Sequence, residues 1–480
     1  MELAAMEADD RLAQSMLADA LALQRTAFLR SGTPALAERL ADIRKLRDAV
    51  RQQSDEIAAV ISADFGSRSV HETMVGDILP ALASARHALK HLASWMKPKR
   101  VPVGLELMPG RARILYQPVG VVGIISPWNY PFQLAIVPLI AALAAGNRVM
   151  LKPSELTPRT SEFLAGFLGR LFPAEKVATV LGGPDVGAAF SALPFDHLFY
   201  TGSTAVGRRI MRAAADNLTP VTLELGGKSP CIIGNDAVLP AAAQSVAFGK
   251  LLNAGQTCVA PDYALVPRAR LEVFARLLRE AITKLYPSLR TNPDYTALVN
   301  DRHYARVSAL LEEARARGVR IVEVNPLNET LPPAERKIVP TLLIDPPDDL
   351  AAMREEVFGP VLPILSYDSL DEAIAFVNGR PRPLALYYFG ASEAERDKVL
   401  NRTISGGASV NETLMHIVAE TLPFGGIGPS GMGAYHGEYG FQTFSHRKGV
   451  FLQSRINGAG MLRPPFGRAA NAMLKFLMSR

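Results

Sequence analysis

The feature that most constrains this chain is an alternation between residues 121 and 227. Short, unbroken apolar runs (VVGIIS, RVMLKP, KVATVLGG, DHLFYTGS, PVTLELGG) are separated by longer segments of helical character (PFQLAIVPLIAALAAG, SEFLAGFLGRLF, AVGRRIMRAAAD). A strand with one wet face alternates apolar and polar side chains, whereas a strand covered on both faces is apolar throughout. Unbroken runs alternating with helices therefore call for a parallel sheet with helices on both sides, and the fold class is α/β. In such sheets ligands bind outside the carboxyl ends of the strands. A second series follows, with helices near 239–253 and 270–285 and strands near 338–344 and 361–367. A domain boundary is therefore expected near Gly226-Gly227. Upstream, Leu36, Leu40, Ile43 and Val50 recur at helical spacing, a break is expected at Lys97–Gly104, and residues 105–120 suit a hairpin turning at Pro109-Gly110.

Composition narrows the class. Of 480 residues, 48% are hydrophobic and 20% charged, as in a soluble protein with a large core. Two cysteines make no disulfide framework and suit a reducing compartment, so a cytoplasmic location is expected. The acidic N-terminus lacks the charge pattern of a secretory signal, and the apolar run Leu134–Gly146 is too short to span a bilayer. The net charge of +6 is local: from Tyr439 onward there is no Asp or Glu, but Arg447, Lys448, Arg455, Arg463, Arg468, Lys475 and Arg480 are present. This is either a solvated basic tail or, with the run AMLKFLM, a peripheral contact with an anionic membrane surface. No nucleic-acid module is recognisable, and no transmembrane anchor is expected.

Several residues stand out chemically. Cys258 sits in a polar Gly-Gln-Thr-Cys turn between a helical and a strand-like run, with Asn253 ending the helix; the turn suits an exposed nucleophile, although a lone cysteine is commonly a small core residue. Cys231, inside an apolar strand, reads as core, and neither cysteine has the clustered partners of a metal site. Glu224 ends an apolar strand before Gly226-Gly227; it either points to solvent or faces a cleft, where desolvation would raise its pKa toward that of a general base. Asn129 follows VVGIIS and is either a turn residue or an oxyanion donor. No GxGxxG follows a strand; FYTGSTAVG does, so Gly202, Ser203, Thr204 and Gly207 open a helix whose N-terminus suits a phosphate. Lys152 and Glu155 either hold ribose hydroxyls or form an exposed pair.

Taken in order along the chain, PWNYP, LKPSELTP, FYTGSTAVG, LELGGKSP, GQTC, EEVFGP and LPFGGIGPSGMGAYHG resemble the NAD(P)-dependent aldehyde dehydrogenase superfamily. The ending SGMGAYHGEYGFQTFSHRK is similar to its class 3 branch, which takes aromatic and medium- to long-chain aldehydes, and within it to bacterial coniferyl-aldehyde dehydrogenases. The resemblance implies two Rossmann-like parallel-sheet domains plus a bridging arm. These are a coenzyme-binding domain (1–100 and 118–226), a catalytic domain (227–420), an oligomerisation arm (101–117 and 440–455) and a basic tail (456–480). The arm would combine the hairpin with a strand near 449–453 in a homodimer. The resemblance also implies Cys258 as nucleophile, Glu224 as general base and Asn129 as oxyanion donor. Trp128, Lys152, Glu155, Gly202, Ser203, Thr204, Gly207, Glu356 and Phe358 would contact NAD, with NADP possible and no metal. The implied reaction takes a small aldehyde through a thiohemiacetal and a thioester to the acid. Acyl transfer to coenzyme A and oxidation of long-chain fatty aldehydes are the alternatives. Tyr130 and residues near His416 would line the aldehyde pocket.

Overall fold

The computed structural model describes residues 2–455 and 463–479, so the expected basic tail lies partly outside the described residues. The first strands are β1 (Lys99–Val101), β2 (Arg111–Pro118), β3 (Val121–Ile125), β4 (Arg148–Lys152), β5 (Val177–Thr179), β6 (His197–Thr201) and β7 (Val221–Glu224). They are followed by β8 (Pro230–Ile233), β9 (Tyr263–Pro267), β10 (Arg320–Glu323), β11 (Thr341–Ile344), β12 (Val361–Tyr367), β13 (Ala385–Phe389), β14 (Gly407–Val410), β15 (Gly431–Met432) and β16 (Ser445–Leu452).

The alternating region forms a six-stranded sheet in the order β15-β7-β6-β3-β4-β5, parallel except for β15. Every residue of β3, β4 and β6 is buried, as two covered faces demand. The helix Gln133–Ala145 joining β3 to β4 is also buried all round, which explains why its sequence shows no polar face. It ends at Gly146, whose φ of +91° suits a residue without Cβ. Strand order reverses between β3 and β6, opening a crevice at their carboxyl ends.

Between Glu224 and Pro230 the chain crosses to a seven-stranded sheet in the order β10-β11-β12-β9-β8-β13-β14, parallel except for β10. Cys231 lies in β8 with no exposed surface. The third sheet, β1-β2-β16, is antiparallel and corrects the expected hairpin. Lys99–Val101, inside the expected break, pairs with Ala112–Ile114, while Leu105–Leu107 is one 3₁₀ turn. A charged three-residue edge strand between two prolines has no apolar run to mark it. On the other side of β2, β16 begins at Ser445, four residues earlier than expected.

Among the described residues, no helix is long and apolar enough to cross a membrane.

Candidate active site

The helix Leu239–Leu251 does not run straight into the cysteine turn. Asn253, Ala254 and Gly255 are consecutively left-handed, with φ of +55°, +51° and +77°. Such backbone costs about 1–2 kcal/mol at a residue with a Cβ, so something must hold it. Asn253 Nδ2 donates to the carbonyls of Asn129 (2.9 Å) and Gln256 (3.2 Å). Gln256 Nε2 donates to Asn253 O and Ala297 O, and its Oε1 accepts from the Val299 N–H. Asn253 and Gln256 are fully buried, so these residues, polar in sequence, brace the turn from within. Cys258 emerges from this brace as a free thiol with partial access to solvent. The dense protein around it, and then Glu356 and Glu224, push its pKa up to about 12.

A cleft of about 230 Å³ brings the separate sequence motifs together. Its lining includes Trp128, Asn129, Gly202, Ser203, Glu224, Gly226, Cys258, Glu356 and Phe358. Asn129 Nδ2 donates to the Gln256 carbonyl at 3.2 Å, so its amide reaches the cysteine turn. Glu224, the last residue of β7, lies in register with Thr201 of β6 and Gly431 of β15. It is 2% exposed and neither carboxyl oxygen has a partner; burial raises its pKa well above the ordinary value. Of the two sequence readings, the cleft-facing one holds. Glu356 is raised to about 8, first by burial and next by Asp262, while the Gly227 N–H opposes the shift. A Cβ on Gly226 would sit 2.1 Å from Glu356 Oε2, so the glycine admits that carboxyl. Phe358 has a φ of +46°, and its ring meets Trp128 edge-on at 5.4 Å.

Because ionised Glu356 raises the cysteine pKa, Glu356→Gln should increase thiolate at pH 9, above the Glu356 pKa of about 8. The expected result is severalfold faster iodoacetamide alkylation of Cys258 in coenzyme-free protein, measured by mass spectrometry with Cys231 as the buried control.

Other expected residues lie around this cleft. Ser203 caps the helix Thr204–Ala215, its Oγ accepting from the Val206 N–H. Thr204 lines an adjoining cavity of about 540 Å³ that shares Gly226 and Glu356 with the cleft. Gly202 leaves room for the Tyr200 hydroxyl, and Gly207 lets that helix pack on Leu225. Lys152 and Glu155 do not line the cleft. Lys152 Nζ donates to Glu155 Oε2 (3.1 Å) and Pro153 O (3.2 Å) at the end of β4. Only half of the pair is exposed: the Lys152 side chain is 3% exposed and that of Glu155 39%.

The aldehyde dehydrogenase family model matches residues 6–450. The chain belongs to the aldehyde dehydrogenase family. It is 49% identical over 459 residues to a probable coniferyl aldehyde dehydrogenase of Pseudomonas aeruginosa, covering 96% of this chain and 95% of that one. A substrate-bound Staphylococcus aureus AldH superposes with a TM-score of 0.90 at 39% identity, covering 96% of this chain and 99% of that one. The P. syringae indole-3-acetaldehyde dehydrogenase AldA, solved as a mutant bound to NAD+ and IAA, superposes with a TM-score of 0.84 at 26% identity; coverage is 92% and 89%. The α/β architecture is thus that of the aldehyde dehydrogenase fold.

In this aldehyde dehydrogenase a second cavity, about 440 Å³, adjoins the cysteine turn through Thr257 and Val259. Its walls are largely apolar, with Leu79, Phe248, Leu252, Leu414, Met415, Ile417 and Val418 among them. Tyr130 also lines it, its hydroxyl 2.7 Å from Thr257 Oγ1. His416 is not part of this lining: its Nδ1 bonds Ser409 Oγ at 2.9 Å, and burial lowers its pKa to about 4. Sequence reasoning missed His303 and Arg306 in the dehydrogenase cleft. The His303 ring lies 4.7 Å from Trp128, and Arg306 Nη1 donates to the Glu356 carbonyl. Both sit early in the surface helix Asp301–Ala316, among charged residues that nothing in the local sequence distinguishes.

Proposed function

We propose that this enzyme oxidises an aromatic aldehyde, with coniferaldehyde the first candidate, to the carboxylic acid with NAD as coenzyme and Cys258 as nucleophile. The observation that carries this reading is the meeting of Cys258, Asn129 and Glu224 on one cleft beside a largely apolar cavity. At about 440 Å³ that cavity falls in the range of small-molecule sites, and the P. aeruginosa relative is named for coniferyl aldehyde.

The residues present fit a dinucleotide. The helix N-terminus after β6 offers unpaired N–H groups at the strand-order reversal. Gly226 leaves space beside the Glu356 carboxyl, a fitting acceptor for ribose hydroxyls. Lys152 and Glu155 would hold the adenosine ribose, and the Glu155 carboxylate favours a free 2′-hydroxyl over a phosphate, hence NAD before NADP. Bound there, oxidised NAD supplies a hydride acceptor and a positive charge.

The chain's own residues do the rest. The thiol of Cys258 is held neutral in the protein alone, and a positive charge beside it favours the thiolate. Cys258 Sγ, its proton given up to solvent through its partial exposure, attacks the aldehyde carbon as the thiolate, and Asn129 Nδ2 with the Cys258 N–H stabilises the oxyanion. Oxidation leaves a thioester on Cys258. Glu224, in its ionised form, then takes a proton from the water that hydrolyses the thioester, releasing the acid. We further propose that the enzyme is a homodimer joined through its three-stranded sheet, whose edge strands β1 and β16 offer unpaired backbone groups.

Steady-state comparison of coniferaldehyde, benzaldehyde and a long-chain alkanal, with NAD or NADP and with or without coenzyme A, tests this. We expect coniferaldehyde to exceed the alkanal in kcat/KM by at least ~10-fold, since each tenfold needs only about 1.4 kcal/mol of differential binding. An absolute need for coenzyme A would replace hydrolysis by acyl transfer.

A further inference from the structure

The two loops that carry Asn129 and Cys258 come from different sheets, yet one segment far upstream grips both. Arg68 precedes the short helix Val70–Thr73, and Asp77 lies within the π-helical turn Met74–Ile78 that follows it. Their side chains have no exposed surface, and Arg68 Nη2 meets Asp77 Oδ2 at 2.8 Å. The other arm of the guanidinium, Nη1, donates to the Asn129 carbonyl at 2.8 Å. Asp77 Oδ1 accepts from the N–H groups of Phe132 (3.2 Å) and Gln133 (3.0 Å), fixing the chain just beyond Asn129. Between Arg68 and Asp77, Glu72 Oε1 accepts from the Asn253 N–H at 3.1 Å, the first of the left-handed residues before Cys258. Its Oε2 accepts from Thr296 Oγ1 at 2.5 Å.

We infer that Arg68, oriented by Asp77, is a positioning residue that aims the Asn129 amide at the oxyanion. The inference rests on the proposed role of Asn129. An Asn amide nitrogen carries two protons. One is engaged by the Gln256 carbonyl, which leaves the second to donate only if the Asn129 backbone is held still. Two side chains hold its carbonyl, Arg68 and Asn253, and the second is itself tied to Glu72 through its N–H. The segment thus sets the oxyanion donor and the nucleophile turn from one rigid support. A π-helical turn, which in many proteins marks a functional site, here presses against the aldehyde-side wall: a Cβ on Gly76 would meet Tyr130 Cε1 at 2.6 Å. Lysine cannot replace Arg68, because a single ammonium lacks the planar fork that serves Asp77 and Asn129 at once.

A double-mutant cycle on the full chain separates positioning from general stability. The single-turnover rate of reduced-coenzyme formation with coniferaldehyde is measured for wild type, Arg68→Lys, Asn129→Ala and the double variant, at saturating NAD. Arg68→Lys should lower the rate at least ~10-fold in the wild-type background, as displaced reacting groups do, but less than about twofold when Asn129 is already alanine. The dissociation constant for NAD should be unmoved. An equal loss in both backgrounds, or no loss in either, overturns the inference. A near-normal rate for Asn129→Ala alone overturns instead the oxyanion role on which it rests. If Arg68→Lys does not fold, the isosteric Asp77→Asn takes its place in the cycle, with the same expected and overturning outcomes.

Discussion

Cys258→Ala should lower aldehyde oxidation by on the order of 10⁴-fold or more, as removing a nucleophile does in other covalent enzymes. That corresponds to about 5.5 kcal/mol of lost transition-state stabilisation. Binding should survive, because the dinucleotide contacts proposed for Lys152, Glu155 and Glu356 come from other loops. The turn should survive too. Its left-handed backbone is braced by Asn253 and Gln256, and the thiol takes no part in those hydrogen bonds. Steady-state rates alongside calorimetric titration with NAD check both halves. Near-normal turnover would remove the proposed chemistry, whereas a parallel loss of coenzyme binding would make Cys258 structural.

The second large effect belongs to Glu224. Glu224→Gln should slow thioester hydrolysis by about 10²–10⁴-fold, the usual contribution of a positioned base. Hydride transfer should change far less. Rapid mixing would then show a burst of reduced coenzyme followed by slow turnover, with acyl-enzyme visible by mass spectrometry. A variant with no burst and no accumulated acyl-enzyme would count against the assignment.

Burial gives the same substitution a signature in stability. In the unfolded chain Glu224 ionises above its ordinary value of 4.5, whereas in the fold it keeps its proton to a much higher pH. The folded state therefore binds the extra proton, and this group's contribution to stability falls as pH rises through that window, by up to about 1.4 kcal/mol per pH unit. The glutamine variant has no such proton to lose. Its Tm should rise relative to wild type between pH 5 and pH 8, read by scanning calorimetry, while its turnover falls. Stability and activity moving in opposite directions is the mark of a carboxyl kept buried for its chemistry.

The sequence by itself determined the parallel sheets, because strands covered on both faces must be apolar throughout, and β3, β4 and β6 are buried at every position. It also determined which motifs to watch, since local residue types suffice to mark a Gly-Gln-Thr-Cys turn or a carboxylate ending an apolar strand. It misplaced the first strand of the small sheet, where two charged residues and one valine carry no periodic signal. The tertiary structure alone decided what the motifs share. Only the fold brings Asn129, Glu224, Cys258 and Glu356 to one cleft and adds His303 and Arg306 from an ordinary-looking surface helix. It alone makes Arg68, Glu72 and Asp77 a common support for loops of two sheets. The physical reason is range. Propensity and periodicity act over a few neighbouring residues, whereas a cleft is made by long-range packing and by hydrogen bonds between residues more than a hundred positions apart.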